Sequence, residues 1–379
     1  MRQRIQSEEH EDIATSMNNL ATLYSALGMH REALQLEKDT LAMRQRILPE
    51  EHEDIATSMN NLAESYSALG MHREALQLSM ASFKATLFSF SVDHTSHWLR
   101  SYNLVYALCS CPGHQPLACD LMFRLLCLVS AADDIDLVRS RLLEFALGGL
   151  HVGALVSNGR AHDLLHFLPL LLDVDSSLAG AAAQGQDSAV VARCMLLRVV
   201  AEACKLGGQF QHALRVLDIL DGLTAPHIAR SVQSQKSFQS GDLGVSAQEL
   251  QRVRFAVQLQ MKKATGAQPP LPSFHDALVK SDAAQVTIPI VEAGEFHPGS
   301  DAIALPPLLY RVGCRVRLQG LLQKQAVLNG AEGVVVSGVE NRRVVVRLTR
   351  AADEAKEEWK DGFKVMTDKV QCVSLFERL

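Results

Sequence analysis

The sequence predicts a mainly α-helical protein, a solenoid of stacked helical hairpins that ends in a small β-barrel. Three observations support this prediction. A segment of 36 residues recurs almost unchanged at an offset of 42 residues. Hydrophobic residues make up 47% of the chain and aromatic residues only 5%, which suits packing of helix on helix through Leu, Ala and Val. Beyond a proline-rich stretch, apolar residues alternate with polar ones, as they do in β-strands.

The recurring segment covers residues 1–36 and 43–78. Self-similarity at a fixed period of this size is the signature of a stacked repeat array, in which each unit covers the apolar face of the next. The positions that differ are Gln6/Leu48, Ser7/Pro49, Thr22/Glu64 and Leu23/Ser65.

Each unit is predicted to contain two helices. In the second unit, Asp54 or Thr57 can cap a helix that runs to about Leu69, because the apolar residues that follow recur at three- and four-residue spacing. Gly70 is expected to end this helix, since a left-handed backbone costs glycine nothing. A second helix is predicted to begin near His72.

A short motif recurs at the same spacing in both units. Its residues are Leu20, Ala21, Tyr24, Gly28 and Ala33 in the first unit and Leu62, Ala63, Tyr66, Gly70 and Ala75 in the second. This motif resembles the tetratricopeptide repeat, in particular the 42-residue version found in kinesin light chains. The resemblance implies a helical-hairpin solenoid that binds proteins, and a structural role for the motif residues. No segment matches the heptad coiled coil through which kinesin light chains join the motor chain.

The similarity of successive segments to the repeat motif is expected to fall along the chain. Residues 1–128 are predicted to hold two near-identical repeats and a degenerate third, which begins at Asp93, and residues 129–263 to form a degenerate helical region. Within the latter, 180–187 is predicted to be a loop. The first residues match 43–47, which close a helix, so either this fragment caps the array or, as we favour, further repeats precede it.

The C-terminal part has a different composition. Residues 264–307 carry seven prolines and are predicted to be an irregular linker. Residues 308–379 contain five short stretches of strand composition, which predict a small SH3-like barrel. The segment around Gly330 and Gly333 weakly resembles KOW-type modules, and these glycines permit the turn and bulge that bend a strand.

Asparagine recurs on the first helix of each unit. In tetratricopeptide solenoids this position resembles the asparagine row of the concave groove, where carboxamides bond the backbone of a bound peptide. The alternative role is a hydrogen bond between helices within the solenoid. The candidate partner-binding residues are Asn18, Asn19, Asn60, Asn61, Glu64 and Asn103.

Other kinds of site have weak support. Cys109, Cys111, His114 and Cys119 have ligand chemistry but lack the two spaced pairs of structural zinc sites, so neither a metal nor a cofactor is predicted. No phosphate-binding loop, nucleophile elbow or other catalytic constellation is present in the sequence, which predicts a non-enzymatic protein. The scattered cysteines and the shortness of the apolar runs favour reduced thiols, no membrane span and a cytoplasmic location.

The predicted function is that of a scaffold or adaptor that binds a protein or peptide partner. Two alternatives stay open, an RNA- or ribosome-associated factor and a regulatory subunit docked on an enzyme. The net charge of −5 gives no general reason to expect nucleic-acid binding. The RNA alternative depends on arginines of the C-terminal barrel, namely Arg315, Arg317, Arg342, Arg343, Arg347 and Arg350.

Overall fold

The chain forms two structural units. In the computed structural model, one unit comprises Met1–Leu125 with Gln285–Pro306, and the other comprises Leu126–Ala284 with Pro307–Leu379. The described residues are 2–49, 52–86, 95–130, 135–147, 149–184, 186–234, 247–264, 266, 269–284, 287–289, 302–304, 315–321, 328–340, 343–348, 363–366 and 369–372.

The repeat region is a succession of antiparallel helices. Each of the first four helices packs against the next one along the chain, as a solenoid of hairpins requires. The helices are α1 (Arg2–Ala26), α2 (His30–Ile47), α3 (Glu53–Ala68), α4 (His72–Thr86), α5 (Thr95–Ser110) and α6 (Gln115–Ser130). The predicted start of the third repeat at Asp93 lies outside the described residues.

Glycine ends the first helix of each hairpin, as predicted. Gly28 and Gly70 both have φ of +75°, in the left-handed region that disfavours other residues. In both hairpins the amide of the following methionine bonds the carbonyl of the motif tyrosine, Met29 to Tyr24 and Met71 to Tyr66, each at 2.9 Å. This closes the C-terminus of the helix by a Schellman-type bond.

The start of α3 differs from the prediction. The cap is His52, whose Nδ1 accepts a hydrogen bond from the backbone N–H of Asp54 at 3.2 Å, and both predicted cap residues lie inside the helix. Asp54 is the second helical residue, and its amide is one of the donors that a cap must satisfy. A ring nitrogen supplied this acceptor, which the usual Ser, Thr, Asp or Asn pattern does not indicate.

One hydrophobic cluster of the repeat region lies between α2 and α3. Leu41, Ile55 and Leu62 are buried there, and further apolar side chains from α2 to α4 pack around them. The motif alanines Ala21, Ala33, Ala63 and Ala75 are at most 2% exposed, which lets the paired helices approach closely. The motif residue Leu20 differs from its equivalent Leu62, since Leu20 is 43% exposed because, within the described residues, no helix covers α1 as α2 covers α3.

The second unit begins with further helices. They are α7 (Ile135–Leu147), α8 (Gly149–Ser157), a 3-10 helix (Ala161–Phe167), α9 (Leu168–Ala183), α10 (Asp187–Leu206), α11 (Phe210–Ser234), α12 (Ala247–Lys263) and α13 (Phe274–Ala283). Helix α10 lies at the centre and contacts α7, α9, α11 and the 3-10 helix. At the turn after α10, a Cβ on Gly207 would lie 2.1 Å from the side chain of Leu165, so a larger residue there would have to displace that leucine.

Two predictions for this unit are corrected. Helix α9 continues to Ala183, as its alanines favour, and α10 begins at Asp187, so five of the eight residues of the loop predicted at 180–187 are helical. The linker predicted at 264–307 contains α13, which begins with a reciprocal capping box between Ser273 and Asp276. Proline content alone concealed this short helix.

Helix α13 is fixed to its unit by polar contacts. Lys280 Nζ lies 2.5 Å from Oδ1 of Asp163, whose other oxygen pairs with Arg160. Before the helix, the side-chain amide of Gln209 donates to the carbonyl of Pro269 at 2.6 Å. Because Asp163 is only 1% exposed, its two cationic partners are needed to compensate the buried charge.

Residues Ala161–Ala183 meet length and composition criteria for a membrane span, with a mean hydropathy of 1.3. They comprise the 3-10 helix and α9. Leu164, Phe167 and Leu171 of this segment are each at most 2% exposed, so they belong to the core of the second unit.

The C-terminal residues form an antiparallel sheet at the predicted positions. The strands of the repeat-side unit, β1 (Thr287–Pro289) and β2 (Ala302–Ala304), pair separately. The five others pair in the order β6-β5-β4-β3-β7, with register shifts in β4. They are β3 (Arg315–Leu318), β4 (Glu332–Glu340), β5 (Arg343–Leu348), β6 (Phe363–Met366) and β7 (Val370–Cys372). Closure into an SH3-like barrel stays a prediction.

The predicted glycines have distinct roles in this sheet. Gly330 has φ of +87° at the turn before β4. A Cβ on Gly333 would lie 2.5 Å from Val346 and 2.6 Å from the carbonyl oxygen of Arg347 on the neighbouring strand. Gly333 therefore allows β4 and β5 to approach closely where the sheet curves.

Candidate functional site

The predicted asparagines meet across successive first helices. Asn61 of α3 donates from Nδ2 to Oδ1 of Asn18 on α1 at 2.9 Å, and Asn103 of α5 donates in the same way to Asn60 of α3 at 3.1 Å. We call each of these hydrogen-bonded asparagine pairs a rung, and the two rungs together the asparagine ladder. Both rungs join residues 43 positions apart, one more than the repeat period.

This offset explains why asparagine occurs as a doublet. In α3, Asn61 bonds back to the preceding repeat and Asn60 bonds forward to the following one. Asn60 is buried at 3% exposure, while Asn18, Asn61 and Asn103 are half-buried. Asn19, the first member of the predicted row, is exposed and takes part in neither rung.

The ladder leaves hydrogen-bonding capacity for a ligand. A carboxamide has two N–H donors and an oxygen with two lone pairs, and one rung uses one donor of one residue and one lone pair of the other. The two roles considered for these asparagines, bonding between helices and bonding a peptide, are therefore compatible. Asn103 has the least donor capacity left, because its Nδ2 also donates to Glu64.

Glu64 extends the second rung. Its Oε1 accepts from Nδ2 of Asn60 at 2.9 Å and from Nδ2 of Asn103 at 2.6 Å. Desolvation by the surrounding protein raises the pKa of this carboxyl, and the bonds from Asn103 and Asn60 partly oppose that rise. The side chain as a whole is exposed, so Glu64 brings an acidic group to the surface beside the ladder.

A second carboxyl group, which the sequence analysis missed, lies behind Glu64. Glu37 of α2 is 5% exposed and is hydrogen-bonded to Ser65. Burial raises the pKa of Glu37 to about 7, and repulsion from Glu64 contributes to the rise. Its position was readable in principle, because Glu37 follows Ala33 by one helical turn on the stripe of α2 that faces the core.

The cysteine and histidine run does not form a metal site. Cys109, Cys111 and Cys119 are buried, and Cys111 Sγ donates to the backbone carbonyl of His72 at 3.3 Å. Burial raises the pKa of Cys109 to about 12. In the part of the chain that the structure describes, no three His, Cys, Asp or Glu residues are grouped to hold a metal ion.

The arginines of the C-terminal sheet differ in exposure and pairing. Arg343 and Arg347 are exposed on β5, whereas Arg317 pairs with Glu332 across β3 and β4 at 2.9 Å. The side chains of Arg315, Arg342 and Arg350 lie outside the described residues. Two exposed arginines on one strand are a small basic surface.

Comparison with known proteins identifies the repeats. The family model of the tetratricopeptide repeat matches residues 13–54 and 55–84. No curated protein matches the sequence significantly. Two solved structures are similar, both of nearly identical TPR-like repeats from a Podosopora anserina protein named as a kinesin light chain.

The first of these structures is 20% identical over 60% of this chain and 99% of its own, with a TM-score of 0.45. The second is 21% identical over 56% of this chain and 95% of its own, with a TM-score of 0.44. No conclusion about function follows from similarity at this level. The family match and the hairpins α1–α2 and α3–α4 together show that residues 13–84 are tetratricopeptide repeats.

Proposed function

We propose that this protein is a scaffold or adaptor, similar to kinesin light chains in its repeats, that binds an extended peptide of a partner protein along α1, α3 and α5. Tetratricopeptide repeats are generally non-catalytic protein-interaction modules. The asparagine ladder is the observation that supports the proposal. It sets carboxamides at regular intervals along successive helices, on a partly exposed surface.

The chemistry of the ladder suits a peptide backbone. An extended peptide presents alternating N–H and C=O groups, and a carboxamide can bond either of them without demanding a particular side chain. The rungs also hold the carboxamides in place before binding. Less side-chain entropy is then lost when the peptide binds.

The test is a pull-down with the full chain in which Asn19, Asn61 and Asn103 are changed to Ala. We expect partners to be lost relative to the unchanged chain. The matched control is Arg31→Ala with Arg73→Ala, two exposed, equivalent positions on the second helices of the two repeats. An unchanged set of partners would overturn the proposal.

Because two of these asparagines are in rungs, folding has to be checked separately. Far-UV circular dichroism and urea unfolding of the triple variant serve this purpose. If the triple variant unfolds, the single variant Asn19→Ala tests the peptide-binding role, since Asn19 is exposed and outside the rungs. Its affinity for the recovered partner is then expected to fall while its unfolding curve stays unchanged.

The exposed Arg343 and Arg347 favour a second candidate, binding of RNA or an acidic partner by the C-terminal sheet. Contacts to phosphates weaken as salt rises. Binding of a labelled single-stranded RNA to the full chain, lost in the Arg343→Ala, Arg347→Ala variant and at high salt, would support it. The cytoplasmic location stays a prediction.

A further inference from the structure

The two carboxyl groups beside the ladder lack an evident counter-charge. Oε2 of Glu37 is buried and, among the described residues, has no hydrogen-bond partner. Leaving such an atom buried and unpaired is costly. Glu64, the neighbouring acid, increases the cost by repulsion.

Two cationic residues of α2 are engaged elsewhere. Lys38 Nζ lies over the ring of Tyr66, 5.3 Å from its centroid. Arg44 donates to Asp54 O at 3.2 Å and to Ser58 Oγ at 3.0 Å, and it pairs with Glu11. Neither residue is among the groups that act on the Glu37 carboxyl, which are Ser65 and Glu64.

The repeat itself shows that the fold does not require these acids. The residue equivalent to Glu37 in the second repeat is Ser79, which is 3% exposed. The residue equivalent to Glu64 in the first repeat is Thr22, whose hydroxyl bonds the carbonyl of Asn18 in its own helix at 3.0 Å. Ser and Thr therefore fill the same positions elsewhere in the array, and the acid pair is confined to one junction.

We propose that Glu37 and Glu64 form a subsite for one basic side chain, Lys or Arg, of the peptide that binds along the asparagine ladder. The proposal rests on the function proposed above and specifies the partner's chemistry. The exposed Glu64 makes the direct, charge-assisted contact. Glu37 stays behind it and adds negative charge in a site where water screens little.

Binding of a cation at this subsite is coupled to protons. Near neutral pH the Glu37 carboxyl is partly protonated, because burial raises its pKa to about 7. A cation nearby favours the carboxylate and lowers this pKa. Protons are therefore released when the basic peptide binds, which an isolated surface carboxylate would not cause at this pH.

The experiment is selection of a phage-displayed random peptide library on the immobilised full chain. We expect enrichment of Lys or Arg at one position of the selected peptides. A selected peptide and its analogue with norleucine in place of the basic residue are then compared by calorimetry. Loss of a charge-assisted bond predicts about ten- to hundredfold weaker binding of the analogue.

Matched variants come from the repeats themselves. Glu64→Thr and Glu37→Ser each install the residue of the other repeat, and both are expected to reduce the preference for the basic residue. Thr22→Glu adds an acid without a buried second carboxyl among the described residues, and we expect it to create no equal second subsite. Calorimetry in two buffers of different ionisation enthalpy is expected to show proton release at pH 6.5 that disappears in Glu37→Ser.

The outcomes separate this inference from the proposed function. Selected peptides that require Asn61 and Asn103 but show no basic preference would overturn the subsite and leave the function standing. A basic preference that depends on Glu64 alone, without proton release, would overturn the role of Glu37. If no peptide is selected, both the function and the subsite are contradicted.

Discussion

The first and second repeats have nearly the same sequence but different environments. Ile13 and Leu20 of α1 are 48% and 43% exposed, whereas their equivalents Ile55 and Leu62 in α3 are 3% and 4% exposed. The difference lies in the neighbour, because α2 covers α3 with the core described above. In a solenoid, burial is a property of the junction between repeats and not of the repeat sequence.

The largest expected difference concerns the leucines of the motif. Leu62→Ala removes a buried side chain from the α2–α3 core and is expected to lower the free energy of unfolding by about 3 kcal/mol. Leu20→Ala, the same change at an exposed position, is expected to cost less than about 1 kcal/mol. Urea unfolding of the two variants measures this, and equal losses would contradict the comparison.

The next effect is a pH dependence that, among the described junctions between repeats, belongs to the one that contains Glu37. The pKa of Glu37 is raised from 4.5 to about 7 in the folded state, so the folded protein binds this proton more tightly than the unfolded chain. The resulting stability is present in full below about pH 4.5 and is lost as the pH rises through 7.

Glu37→Gln is expected to remove that dependence, which amounts to about 2 kcal/mol. The measurement is urea unfolding of both proteins between pH 5 and pH 8. The difference between them, and not the absolute curve, isolates Glu37, since other groups titrate in both. A constant difference across this range would show that Glu37 titrates as an ordinary surface carboxyl.

A smaller effect should be equal in the two repeats. Gly28→Ala and Gly70→Ala place a Cβ at the same φ of +75°, and a Cβ at either position has no atom within 4 Å. The cost is then purely conformational and is expected to be about 1 kcal/mol in each case. Unequal costs in thermal unfolding would show that the two hairpins differ in their backbone as well as in their neighbours.

The smallest effect concerns the position of Ser7 in the first repeat and Pro49 in the second. Helix α1 continues without a break through Ser7. The residue equivalent to Ser7 in the second repeat is Pro49, and the residue before it, Leu48, is extended and ends α2. Proline removes a helical donor and disfavours helix in the preceding residue.

Ser7→Pro is therefore expected to break the helix near Gln6. Amide exchange should become faster at residues 6 and 8–10, whose helical acceptors are the carbonyls of residues 2 and 4–6. The free energy of unfolding should change by less than about 0.5 kcal/mol, since only a terminal turn of helix is lost. Unchanged amide exchange would contradict the explanation of the break by Pro49.

The features that the sequence predicted are those controlled locally. Gly70 and Ala63 are recognisable because a left-handed turn and a close helix contact each tolerate few residue types. The C-terminal strands were located in the same way, by the alternation of apolar and polar residues. The asparagine positions followed from the repeat period, although the pairing that joins Asn60 to the following repeat did not.

The features that the sequence did not predict depend on tertiary contacts. Helix α13 is held to its unit by Asp163 and Gln209, which are distant in the sequence. The cap at His52 is the exception, because it is a local contact with Asp54 that uses a ring nitrogen instead of one of the usual cap side chains. Glutamate is a good helix former and is usual on an exposed helix surface. The packing of α2 against α3 buries the carboxyl group of Glu37 and thereby raises its pKa. The exposure of Leu20 is likewise invisible in a motif that is identical in both repeats.

The asparagine ladder gives the surface a direction. In both rungs the donor belongs to the later repeat and the acceptor to the earlier one. The carboxamides are thus oriented alike along the array, and an extended peptide also has a direction, from its N-terminus to its C-terminus. If the proposed function holds, the two ways of laying a peptide along these helices are not equivalent, and we expect the array to distinguish a motif from the same motif reversed.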